Sequence, residues 1–125
     1  MTPEEIRIRR PIWSLLSELW LDTELDERQR EHFALELSGS AFSVAELRDI
    51  HDREVAPVVS RNLDSIAGEW AGFDLDWLAE RCAKAADDRD TLPARRRLWA
   101  GSSRRRKAVH DVLDDILGRI ERLRS

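Results

Sequence analysis

Three histidines and one cysteine are the side chains from which chemistry in this sequence would start. His51-Asp52 and His110-Asp111 are adjacent His-Asp pairs, and His32 lies upstream. Imidazole and carboxylate ligands in that order are a set that holds divalent metals for phosphoester hydrolysis. On an α-helix, however, Asp52 is turned about 100° from His51. His51 falls beside an apolar face, so the expectation is a buried, hydrogen-bonded histidine. Neither H-E-x-x-H nor a di-iron E-x-x-H pair occurs. Cys82 lies on the apolar side of its segment, where a free cysteine behaves as a small hydrophobe. A nucleophilic thiol needs an adjacent base and access, and no pattern supplies either. Asp22, Glu24, Asp26 and Glu27 cluster, but Asp-x-[DN]-x-[DN]-Gly spacing is missing. The expectation is therefore no enzyme, no metal and no cofactor.

The stretch SIAGEWAGFD, Ser65 to Asp74, carries two glycines, a tryptophan and a phenylalanine. A phosphate loop needs G-x-x-x-x-G-K-[ST] between a strand and a helix; here the glycines are G-x-x-x-G without the Lys. Glycine admits tight chain paths, and Leu63, Ile66, Trp70 and Phe73 are too apolar for a solvated linker. The reading is an aromatic-pinned corner over residues 64–74. If Trp70 or Phe73 is exposed there, the corner becomes a partner-binding patch.

Charge is distributed unevenly. Residues 1–90 carry 11 Lys/Arg against 21 Asp/Glu, and residues 91–125 carry 10 against 4. An acidic body thus bears a basic end. Arg95, Arg96 and Arg97, with Arg104, Arg105, Arg106 and Lys107, flank Trp99 in that end. Such a segment can contact phosphates and stack on a base. Cations at the start of a helix also oppose its dipole, so a compensating partner is expected, either the acidic body itself or an outside molecule.

The elements that would position these residues read as helices throughout. Thr2-Pro3-Glu4-Glu5 is a capping box with proline at the first helical position. Pro11 interrupts that lead-in and starts a new helix, with Ile12, Leu15, Leu16 and Leu19 on one face and Trp13 and Trp20 widening it. Asp26 caps a helix whose inward residues are Phe33, Ala34 and Leu37, and Gly39 stops it. Ser43 opens a helix with Val44, Leu47, Ile50, His51 and Val55 on one side, which Pro57 disrupts or kinks. Asp74 caps a segment with Leu75, Leu78, Ala79, Cys82 and Ala86 inward. A short helix through Trp99 follows Pro93. From about Arg104, Val109, Val112, Leu113, Ile116, Ile120 and Leu123 form the clearest stripe. No segment alternates as a strand does. The fold class is all-α: one domain over residues 1–125, a compact bundle of five or six helices.

At 125 residues the chain can bury a real core. No run of about 18 apolar residues exists to span a membrane. The charged opening MTPEEIRIRRP does not read as a secretory signal, and a single cysteine suits a reducing compartment, so the expectation is a cytoplasmic protein.

The runs LDTEL, EVAPV and AGEWAGFD followed by DWL resemble a family of small bacterial proteins without an assigned biochemical function, over roughly residues 10–80. The resemblance implies a bacterial, cytoplasmic helical domain and assigns no catalytic residues. The expected function is a protein-binding module, concretely an immunity-type protein that neutralises a basic toxin by direct binding. Asp22, Glu24, Asp26, Asp49, Asp52, Trp70 and Phe73 are its candidate contacts. The alternative is a nucleic-acid-associated regulator working through residues 95–107. A homodimer through the stripe of the last helix is a further expectation.

Overall fold

Every regular element in the computed structural model, which describes residues 1–65, 74–88 and 103–125, is a helix. The first, α1, spans Pro3–Leu21. Its capping box forms as read: Thr2 Oγ1 accepts the Glu5 amide at 3.1 Å, and Glu5 Oε1 accepts the Thr2 amide at 3.3 Å. Pro11 does not divide it, contrary to expectation. The proline ring stands on the exposed side, while Ile12, Trp13, Leu16, Leu19 and Trp20 on the other side are buried. Packing of that face outweighs one lost backbone hydrogen bond.

Helix α2 covers Glu27–Ser38 and buries Phe33, Ala34 and Leu37. Asp26 does more than cap it. Its carboxylate accepts the Gln29 amide at 2.8 Å, and Gln29 Oε1 accepts the Asp26 amide at 2.9 Å. Gly39 ends the helix with φ −75°, an ordinary right-handed backbone, rather than the left-handed C′ stop its type suggests. The chain turns instead at Ser40, whose amide and hydroxyl both donate to the Leu37 carbonyl.

The middle of the chain is one rod with a widened turn. Helix α3, Val44–Ile50, passes into a π-helical turn, His51–Val55, and that into α4, Ala56–Ser65. Ser43 supplies the expected capping box. Pro57 has no N–H and its ring crowds the carbonyl four residues back. The widened turn precedes it directly, with the Ala56 amide donating to the His51 carbonyl five residues back. Proline therefore leaves its mark as a π turn within a continuing helix.

Helix α5, Leu75–Asp88, starts at Asp74, whose carboxylate accepts the Trp77 amide at 2.9 Å. Leu78, Ala79, Cys82 and Ala86 face inward as read; Leu75 is 42% exposed and does not. Helix α6, Ser103–Arg124, buries Val109, Val112, Leu113, Ile116, Leu117 and Ile120. Leu123, assigned to the same stripe, is 42% exposed beyond the edge of the core.

Residues from all five described rods meet in one core built around Trp13, Trp20, Leu16, Leu47 and Ile116. Helices α1 and α5 run antiparallel, tied by Arg10–Asp76 at one end and by the Met1 amine to Asp87 at 2.6 Å at the other. Helices α2 and α6 run side by side in the same direction, with Arg119 near Glu27 and Arg124 near Ser38. The α3–α4 rod lies between them, against α1, α5 and α6. The stripe of α6 on which a dimer would rest is buried within this core. Among the described residues, no helix is long and apolar enough to cross a membrane. The aromatic corner with Trp70 and Phe73, the short helix near Trp99, and Arg95, Arg96 and Arg97 lie outside the described residues, as does the side chain of Arg104.

Candidate functional site

The π turn puts polar side chains where the rest of the rod puts aliphatic ones. His51 and Glu54 are both completely buried. Burial of such groups is costly unless they are paired, and the partners come from α1. The Trp20 indole N–H donates to His51 Nε2 at 3.1 Å. One helical heptad earlier, the Trp13 indole N–H donates to Glu54 Oε1 at 2.8 Å. Two tryptophans seven residues apart thus read two acids and bases three residues apart.

These contacts determine the protonation of His51. Because Nε2 accepts the Trp20 N–H, the ring proton resides on Nδ1, and Nδ1–H donates to Asp52 Oδ1 at 2.8 Å. Burial pushes the imidazole below its ordinary range; the Asp52 hydrogen bond opposes this, and the nearby charges of His110 and Arg48 add to it. Burial disfavours ionised Asp52, but the hydrogen bond from His51 and the charges of His51, His110 and Arg48 together outweigh it and leave the carboxyl below its usual range. The Trp20 ring stacks on His51 with centroids 6.0 Å apart, and His110 of α6 meets His51 edge-on at 5.6 Å. The histidine is hydrogen-bonded and buried, as the sequence suggests. Asp52, by contrast, does not turn away from it. The wider turn reduces the angular step between neighbours and lets the two side chains meet.

Glu54 lies in a second pocket. The Arg9 guanidinium reaches it with Nε at 3.4 Å, too poorly aligned for a hydrogen bond, and stacks over Phe42 at 5.2 Å. Burial raises the Glu54 carboxyl above its ordinary range, against the Trp13 hydrogen bond and the Arg9 charge. Burial also pushes the Cys82 thiol far up, and the Glu54 charge adds to this. A buried thiol so held is inert.

Chemically, this arrangement ties up its own reactive atoms. The Asp52–His51 pair has the orientation of a base and its orienting carboxylate. The lone pair on Nε2, however, is occupied by an indole N–H, which is too weakly acidic to transfer its proton. Neither His51 nitrogen is available to a metal in this geometry. His32 stands on the outside of α2 beside Glu36, and Asp111 pairs outward with Lys107 at 3.2 Å, so neither joins His51 and His110. Among the described residues, no group of three His, Cys, Asp or Glu is placed to hold a metal ion.

The acidic candidates divide into two groups. Asp22 and Glu24 are exposed in the connection after α1, where the Asp22 carboxylate accepts the Glu24 amide at 2.9 Å. Asp26, Asp49 and Asp52 have internal duties: the α2 cap, an ion pair with Arg53 at 2.9 Å, and the His51 hydrogen bond. Of the basic candidates, Arg105 turns toward the protein and Lys107 along its own helix. Arg105 donates to the Trp20 carbonyl, in the last turn of α1. The negative end of the α1 dipole thereby receives the cation that α6 carries at its unfavourable end. Lys107 pairs with Asp111.

Sequence reasoning missed Arg9, Trp13, Trp20 and Glu54 as members of a polar network. Tryptophans at i and i+7 facing His and Glu at i and i+3 of another apolar helix were the available signal. Only their docking shows that the spacings match.

The chain belongs to the family described as a domain of unknown function, DUF7079, whose model matches residues 7–118. Comparisons with curated proteins and with solved structures gave no match.

Proposed function

We propose that this protein is a small bacterial protein-binding module acting in the cytoplasm, an immunity-type protein that neutralises a cognate basic toxin by direct binding. The observation that carries the reading is the fate of its charges. Cations of α6 are engaged with the chain's own carbonyls and carboxylates: Arg105 with Trp20, Lys107 with Asp111, Arg119 with Glu27, Glu31 and Asp115, and Arg124 with Ser38 and Ser40. Asp22 and Glu24 stand exposed in a connection already shaped by its own hydrogen bonds and by the Asp26 capping box. A preformed acidic edge favours a partner that is itself basic, as proteins acting on nucleic acid are. The internal saturation of His51, Glu54 and Cys82 fits binding rather than turnover.

The test is affinity capture of the tagged protein from its native bacterium at moderate salt, assayed for protein and nucleic acid together. A stoichiometric protein that arrests growth when expressed alone, and is tolerated when co-expressed, is the expected result. With that partner, replacing Asp22 and Glu24 by their amides slows association several-fold and leaves dissociation nearly unchanged. Recovery of salt-sensitive RNA or DNA without protein overturns the reading and moves the function to the arginines around Trp99.

A further inference from the structure

Trp20 is held at both ends. Its indole N–H donates to His51 on the π turn, and its backbone carbonyl accepts Arg105 near the start of α6. His51 is completely buried and touches His110 of α6 edge-on. Arg48, one turn before His51, reaches across to Asp114 of α6. The near half of α6 is therefore docked through a small cluster with one neutral imidazole at its centre.

That imidazole holds the cluster together only in one protonation state. A proton on Nε2 places an N–H against the Trp20 N–H, so neither can accept from the other. Among the described residues the carboxylate that compensates the new charge is Asp52, which is already engaged at Nδ1. Two other groups around it oppose a cation: Arg48 on its own rod and His110 on α6. From α1 the Trp20 indole hydrogen-bonds it, and α5 packs against the π turn, where the Cys82 thiol stays neutral.

We propose that His51 is an acid-sensitive latch: protonation of Nε2 breaks its pairing with Trp20 and releases the first half of α6, residues 105–113, from α1 and the π turn. Opening exposes Val109, Val112 and Leu113, now buried, so the mildly acidic form carries an apolar surface that the neutral form hides. Burial of the imidazole places this step below the ordinary histidine range. The latch does not depend on which partner the protein binds.

Amide hydrogen exchange of the intact chain, from about pH 7.5 to about pH 4.5, tests it. After correction for intrinsic rates, residues 105–113 and 17–21 are expected to lose protection by about tenfold or more while far-UV ellipticity is retained. The variant His51→Gln keeps both contacts, its amide oxygen accepting Trp20 and its NH2 facing Asp52, but cannot titrate. It should remove the step, whereas His110→Gln should retain it. Persistence of the step in His51→Gln overturns the proposal, as does loss of ellipticity in the same step. If His51→Gln does not fold, ring-nitrogen NMR of the unmodified protein decides. Protonation of His51 that coincides with the loss of protection supports the latch, and protonation without that loss overturns it.

Discussion

Glu54 is the residue whose environment has the clearest energetic consequence. Its carboxylate is removed from water, where it accepts from the Trp13 indole and lies beside the misaligned guanidinium of Arg9. Its folded-state pKa is raised by burial. A carboxyl with a raised folded value favours folding while protonated and loses that contribution as pH rises from about 4.5 through the folded value. Glu54→Gln keeps an oxygen acceptor for Trp13 and has no charge to desolvate. Its Tm relative to the parent protein should therefore improve as pH is taken from about 4 to about 7. Glu54→Ala should behave differently. It leaves the Trp13 N–H and the Arg9 guanidinium without their partner, and should cost about 3–5 kcal/mol in a denaturant titration at neutral pH.

At the scale of the element, two positions where local preference and structure disagree can be corrected by substitution. Pro11 sits within α1, exposed, with no donor for the preceding turn. Pro11→Ala restores that hydrogen bond and should raise stability by up to about 3 kcal/mol, read from the shift in urea midpoint at constant m. Gly39 has ordinary right-handed backbone, and a Cβ there would meet only the carbonyl oxygens of Glu36 at 3.6 Å and Leu35 at 3.9 Å. Gly39→Ala should stabilise by about 0.4–1 kcal/mol, because it restricts the unfolded chain without straining the folded one. A loss of stability would mean that the turn after α2 needs the glycine after all.

For the whole molecule, the ion pairs that count are those joining distant parts of the chain. Arg119 is the densest of them. Its guanidinium meets Asp115 of its own helix at 3.0 Å and both Glu31, at 2.9 Å, and Glu27 of α2. These pairs clamp α2 onto α6 and answer the charge asymmetry of the two ends of the chain. Arg119→Ala should lower Tm, and the loss should shrink as salt is raised, since Glu27 is open to solvent. Arg119→Lys should recover only part of it, because an ammonium cannot offer a planar fork to three carboxylates. An Arg119→Lys variant as stable as the parent would show that charge alone matters there.

Several features were legible in the residues alone. Spacing of apolar positions and capping residues determined the all-α class, the starts of α1, α2, α3 and α5, and most inward positions, because these follow from local hydrogen bonding and helical period. The burial of His51 and Cys82 was readable from the same stripes. Local rules misjudged Pro11, Gly39, Leu75 and Leu123, where the outcome depends on how far the core extends and on what packs opposite. The meeting of Trp13 with Glu54, of Trp20 with His51, and of Arg105 with the end of α1 was decided only by the tertiary structure. Each joins residues at least 31 positions apart. A helix sequence states which side chains share its face, but which partner that face meets, and in what register, is settled only when the rods dock.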